Sequence, residues 1–277
     1  MQMIHGDAAW SLRKFEPMWK ALADEGDELA WHPHTWRWND AARCWYNEMV
    51  DIEYISKAYE TGFEAFEAAM GFRPDSCRAG ISFHNNETIA KLEELGVKVD
   101  LSAQPGLRLY YSAPDLGAAL TEGSDWTRTQ AEPYHPSLVD YQRPASTGER
   151  AFGLLEIPLT VWRKPFGSFS FWKGLVPARI HGTPRLVRPI MKGWFISNLW
   201  GDPYRFELGF DEVVRRAAAK RIAHFATSLH PDDITDKNYQ NITANLSYAL
   251  TKAREIDMDL KFLTAKQAHV VFSDIEQ

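Results

Sequence analysis

His32 and His34 stand two residues apart at the end of a short apolar run. In a strand, residues two apart point to the same side, so both imidazoles can aim at one point. Imidazole is the commonest protein ligand of zinc and related divalent ions, and a third ligand, a carboxylate or another His, would leave a position open for water. The alternative is a pair of polar residues inside an aromatic patch, because Trp31, Trp36, Trp38 and Trp45 crowd the same stretch. His230, followed by Asp232 and Asp233, is placed to protonate a leaving group or, more plainly, to cap the next segment. Arg78 can hold a carboxylate or a substrate anion bidentately; its bland reading is a surface ion pair of little worth. Asp100 is a site carboxylate or a turn former before Ser102 and Pro105-Gly106. Asp100 and His84 join Trp36 and Trp38 as candidates on the substrate side.

Those residues need elements to carry them. Glu16 to Glu25 reads as a short helix, stopped by Gly26 and succeeded by an apolar run from Glu28 to Trp38, a strand and its end loop. From Met49, the apolar positions Ile52, Ile55, Tyr59, Phe63, Phe66 and Met70 keep the three-and-four spacing of an amphipathic helix, ended by Gly71 and Pro74. Asn85 or Asn86 caps a helix burying Ile89, Leu92 and Leu95, and Val97 to Leu101 comes next as a strand. Later, Asp211 opens a helix through Arg221, Ile222 to Leu229 reads as a strand, Ile242 to Ala253 as a helix, and Leu260 to Leu263 as a last strand. Helix and strand alternation of this kind predicts an α/β fold with mostly parallel strands. Between them Leu154 to Val161 reads as a strand, and about residues 162–205 form an irregular, basic and aromatic excursion interrupted by prolines at 165, 177, 184 and 190. Aromatic rings there could stack on sugar faces or simply pack the excursion against the domain.

The chain has 277 residues, 31 basic and 37 acidic side chains, a formal charge of −6 and 45% hydrophobic residues. It is long enough for a single globular domain spanning 1–277, and too apolar for disorder while carrying no run long enough to span a membrane. The acidic balance argues against nucleic-acid partners. Cys44 and Cys77 are too few for a disulfide framework or a Cys-rich zinc module. Met1 to Trp10 lack the basic and apolar regions of a secretory signal, which points to the cytoplasm for the chain as given.

Taken in order, the motifs resemble the polysaccharide deacetylase, or NodB-homology, family. Gly26-Asp-Glu-Leu-Ala-Trp-His32 is similar to the stretch opening its histidine motif, and Arg78-Ala-Gly80 to its arginine motif. The run from Leu92-Glu-Glu-Leu-Gly96 to Val99-Asp-Leu-Ser102 and Pro105-Gly106 is similar to the family sequence beyond the arginine motif. Leu155-Glu-Ile-Pro158 resembles the next strand, and Ser228-Leu-His230 the last motif. The resemblance implies a distorted (β/α)7 barrel and a hydrolase that removes acetyl groups, from nitrogen or oxygen, on a carbohydrate, or cleaves related C–N bonds of another acylated small molecule, at a divalent metal, zinc by expectation. It implies His32 as a metal ligand, His230 as catalytic acid and Arg78 as partner of a carboxylate base.

Two positions depart from the pattern. Trp36 stands where the family's second metal His lies, leaving His34 as the nearest substitute. The family's early Asp-Asp pair has no counterpart before His32; the only such pair is Asp232-Asp233, and Asp7 lacks an apolar run before it. The expectation is therefore a chain that begins inside the domain or, with Met1 as true start, a catalytically impaired carbohydrate-binding barrel. A missing first strand would expose a sheet edge, which invites a homo-oligomer. Another reading takes His32 and His34 as the paired histidines of an amidohydrolase-type barrel; His84, His135, His181 and His224 lack the strand-end spacing that family wants.

Overall fold

The computed structural model describes residues 10–108, 123–163, 194–196, 198–220, 222–229 and 233–275. It is a mixed α/β structure in two compact units, the first comprising residues 1–103, 108–157 and 263–277, the second 104–107 and 158–262.

In the first unit, helices α1 (Trp10–Lys14) and α2 (Glu16–Asp24) precede a hairpin, β1 (Trp36–Asn39) and β2 (Cys44–Asn47), and the long helix α3 (Ile52–Met70). The predicted stripe on α3 is the face it buries: Ile55, Tyr59, Phe63, Phe66 and Met70. Gly71 ends it in the left-handed conformation, φ 80°, which costs glycine no Cβ clash. Strand β3 (Ser76–Cys77), helix α4 (Asn86–Glu94) and strand β4 (Val99–Asp100) come next. Asn85 caps α4 through a reciprocal box with Thr88. Strands β5 (Pro136–Ser137) and β6 (Asp140–Pro144) form a second hairpin, and β7 (Leu155–Glu156) returns to the sheet.

Parallel pairing is present in one sheet, but the expectation of mostly parallel strands is not met among the described residues, since both hairpins of this unit are antiparallel. Strands β3, β4 and β7 run parallel in that order, with Cys77 opposite Asp100 and Asp100 opposite Glu156. Trp31 adds a parallel bridge to Cys77, and Tyr134 an antiparallel one to Glu156. One row of side chains, Trp31, Cys77, Asp100, Glu156 and Tyr134, therefore crosses the sheet. Trp31 meets Tyr59 and Phe63 of α3 edge-to-face, at ring separations of 5.2 and 5.6 Å, and the main core gathers around them with Phe66, Ile89 and Leu92. Ala265, Ala268 and Phe272, close to the C-terminus, cover a smaller cluster of Val99, Leu155 and Ile157.

In the second unit, β8 (Val161–Arg163) pairs antiparallel with β9 (Trp194–Ile196), and helices α5 (Pro203–Lys220) and α6 (Asp236–Glu255) pack around Phe206, Phe210 and Ala249. The last helix, α7 (Ala265–Ile275), belongs to the first unit.

Several expectations on elements change. The expected strand Leu154–Val161 is two short ones, β7 and β8, separated by residues 157–160. Residues 222–229 and 260–263 are not strands: Phe225 and Leu260 instead pack into the Phe206 and Phe210 cluster, so their apolar character serves a helix-packed core rather than a ladder. Helix α5 begins at Pro203, a position suited to the first helical turn, rather than at Asp211. Among the described residues the sheet is open and no closed barrel is formed. Most of the aromatic excursion, residues 164–193, lies outside the described residues. No helix among the described residues is long and apolar enough to cross a membrane.

Candidate functional site

The ends of the parallel segments bring His32 and Arg78 together. The Arg78 N–H donates to the Trp31 carbonyl at 2.9 Å and the Trp31 N–H to the Ser76 carbonyl at 3.0 Å, so the next residue on each segment emerges side by side. His32 Nδ1 lies at hydrogen-bond distance from the Arg78 carbonyl oxygen. A carbonyl can only accept, so this contact places the ring proton on Nδ1 and leaves a lone pair on Nε2. Burial first, with neighbouring charge including that of His34, outweighs the raising effect of the hydrogen bond to the Arg78 carbonyl and lowers the His32 pKa to about 3, which keeps the ring neutral at ordinary pH.

His34 lies beside it, the ring centroids 5.0 Å apart and the planes perpendicular. Trp36 stacks on His34 at 5.7 Å, and Asn47 Oδ1 is 3.4 Å from His34 Nδ1. On its other flank the ring lies against the backbone of Gly80, where a Cβ would come within 2.5 Å of it. The turn that brings Gly80 there is strained: Ile81 and Ser82 both take positive φ, 52° and 54°, unusual for a β-branched residue. Ser124 Oγ donates to the Ile81 carbonyl at 3.0 Å and Trp126 Nε1 to the Ser82 carbonyl at 2.8 Å, holding the turn in that conformation.

The remaining candidates fall in different places. Trp38 is 42% exposed and meets the exposed Trp45, its cross-strand partner, at 5.5 Å. Asp100 and His84 have fully buried side chains, so in this conformation neither meets solvent, where a dissolved substrate would arrive. Both belong to a buried polar network. His84 Nδ1 is 2.9 Å from Thr88 Oγ1 and its Nε2 is 3.1 Å from Asp100 Oδ2. Ser102 Oγ donates to Asp100 Oδ1 at 2.6 Å and accepts the Ala79 N–H at 2.8 Å. Glu156, opposite Asp100, accepts the Ala103 N–H at 3.0 Å. His230 and Asp232, like Asp7, lie outside the described residues.

Glu156, Ser102 and Thr88 were not singled out by sequence reading. The signal for Glu156 was present, a lone acid within Leu154-Leu155-Glu156-Ile157; the partners of Ser102 and Thr88 depend on tertiary contacts that no local spacing encodes. A second cluster also went unread. Glu48 Oε1 accepts the N–H groups of Met49, Val50 and Asp51 at 3.1, 3.0 and 3.1 Å, and its Oε2 accepts from Tyr46 Oη at 2.8 Å and Arg37 at 3.0 Å. Burial raises its pKa, but those hydrogen bonds outweigh it and the net displacement is downward.

No group of three His, Cys, Asp or Glu able to hold a metal comes together among the described residues. His32 and His34 are two adjacent imidazoles, and no third His, Cys, Asp or Glu joins them among the described residues.

Comparison with protein-family models finds no match, and neither does comparison with curated proteins. Among solved structures, this chain is similar to a crystal structure from Mycobacterium smegmatis that carries the provisional name of polysaccharide deacetylase. The identity is 16%, the match covers 93% of this chain and 73% of that one, and the TM-score is 0.42, too low a likeness to carry fold or activity across.

Proposed function

We propose that this chain is a hydrolase that removes acetyl groups, from nitrogen or oxygen, on a carbohydrate, built on a barrel of the polysaccharide deacetylase type and using a divalent cation held at His32 and His34. The observation that carries this reading is the posture of His32. A backbone carbonyl fixes its Nδ1 proton, which leaves Nε2 as donor, the orientation that outer partners impose on metal-ligating imidazoles. Neutrality at ordinary pH suits the same role, since only an unprotonated ring binds metal. Zinc is the ion best matched to imidazole donors among those expected.

Bound there, a divalent ion would supply Lewis acidity toward the acyl carbonyl and lower the pKa of water to about 7. The chain's own residues do the rest. Arg78 holds His32 through its backbone, and Trp36 covers one face of His34 while Gly80 lies against it. Trp38 and Trp45 present exposed rings at the hairpin, suited to the C–H face of a sugar. His230 is the proposed proton donor to the departing amine or alkoxide.

Titration of the metal-free protein with cobalt, monitored by its visible spectrum, tests the cation site. Stoichiometric binding that His32→Ala abolishes supports it; no binding by the wild-type protein contradicts it. The absence of a third donor among the described residues favours a second reading, a noncatalytic carbohydrate-binding barrel. That reading expects glycan binding unchanged by His32→Ala.

A further inference from the structure

Asp100 and Glu156 are direct partners in the parallel register of β4 and β7 and wholly buried, so their side chains leave the same face of the sheet. Two ionised carboxylates placed so would repel strongly in a medium that water does not screen. The surroundings compensate one charge rather than two. Asp100 receives Ser102 Oγ and has His84 Nε2 at 3.1 Å, whereas Glu156 receives backbone N–H groups, those of Ala103 and Ser102. His84 is the one basic side chain in ion-pair contact with either carboxyl among the described residues.

We propose that Glu156 is kept in the folded protein as the neutral acid, sharing its proton with Asp100, and that this one buried proton holds the turn after β3 in place. The connection runs from Asp100 to Ser102 Oγ and on to the Ala79 N–H. Ala79 separates Arg78, whose carbonyl fixes His32, from Gly80, whose backbone lies against His34. Glu156 is thereby a positioning residue. Burial first, and then the charge of Asp100, push the Glu156 carboxyl well above the usual carboxylate range. For Asp100, burial is opposed and outweighed by His84, Glu156 and Ser102, and the direction is downward.

The titratable groups that face the pair are Cys77 on β3, Tyr59 on α3, Tyr134 beside β7, and His84 ahead of α4. Burial pushes the thiol and both phenols well above their ordinary values, so they stay neutral while Glu156 titrates. A carboxyl raised on folding contributes stability that is complete below its unfolded pKa and lost as pH rises through the folded one. Glu156→Gln keeps an N–H donor toward Asp100 and an acceptor for Ala103 but cannot titrate, while His84 is common to both proteins.

Urea denaturation of the full chain from about pH 5 to about pH 9 provides the test. The unfolding constant of the wild type should rise relative to that of Glu156→Gln by up to about tenfold per pH unit, and the protection of the Ala79 amide against hydrogen exchange should fall over the same window in the wild type alone. A ratio constant with pH overturns the proposal, as does Ala79 protection that changes equally in both proteins. If Glu156→Gln does not fold, the infrared spectrum of the wild type at neutral pH decides: a protonated-carboxyl C=O band supports the proposal, and carboxylate bands alone overturn it. Neither measurement involves metal or substrate, so the outcome stands apart from the hydrolase reading.

Discussion

Gly80 sets how closely the turn after β3 can approach His34. A methyl group at that position would sit 2.5 to 2.6 Å from three ring atoms, closer than any real contact, so either the ring or the turn must move. Gly80→Ala is therefore expected to lower stability by about 1–3 kcal/mol and to shift the His34 ring resonances in an NMR spectrum. An unchanged spectrum would mean that the ring does not rest there. At this scale the sequence revealed residue types and spacing but not partnership. The pair His32 and His34 was visible as a motif, yet the carbonyl that orients His32 belongs to a residue 46 positions away. Likewise Asp100 was legible as a lone acid at a strand end, but its burial beside Glu156 was not, because that depends on the register of two strands far apart in the chain.

Helices were the legible elements. Apolar spacing placed α3, α4 and α6 close to where they occur, since a period of 3.6 sustained over several turns is hard to imitate. Strands of two to four residues carry too few positions for alternation to stand out, and apolar runs at 222–229 and 260–263 read as strands although they pack as coil. The hairpin of β1 and β2 was missed although Trp36-Arg-Trp38-Asn39 alternates, because its partner Cys44-Trp-Tyr46-Asn47 does not. The step from that hairpin into α3 is fixed by Glu48, whose carboxylate takes three backbone N–H groups where the helix begins. Removing it with Glu48→Ala leaves those donors and Tyr46 unsatisfied, an expected loss of about 1–3 kcal/mol in urea denaturation. The downward displacement of its pKa gives the sign of the pH dependence. Its contribution is present above the ordinary carboxylate range and lost as pH falls through the folded pKa. The wild type should thus lose stability on acidification more steeply than Glu48→Ala, and equal slopes would contradict this.

On the scale of the whole molecule, a parallel sheet gathers chemistry at the ends of its strands, because successive segments leave the sheet at the same edge. That rule explains why His32 and Arg78 meet although nothing local connects them, and why the α/β class could be read from alternation alone. Barrel closure could not be read so, since it depends on strands pairing around a ring and the described residues form an open sheet. The central claim, that His32 serves a metal-assisted deacetylation, is tested most directly by acetate release. The zinc-loaded full chain and its His32→Ala variant would be incubated with an N-acetylated oligosaccharide and with an O-acetylated one. Release from either substrate by the wild type, lost at least about a hundredfold in the variant, is the predicted result. No acetate from the zinc-loaded wild type, or equal release by both proteins, would contradict it.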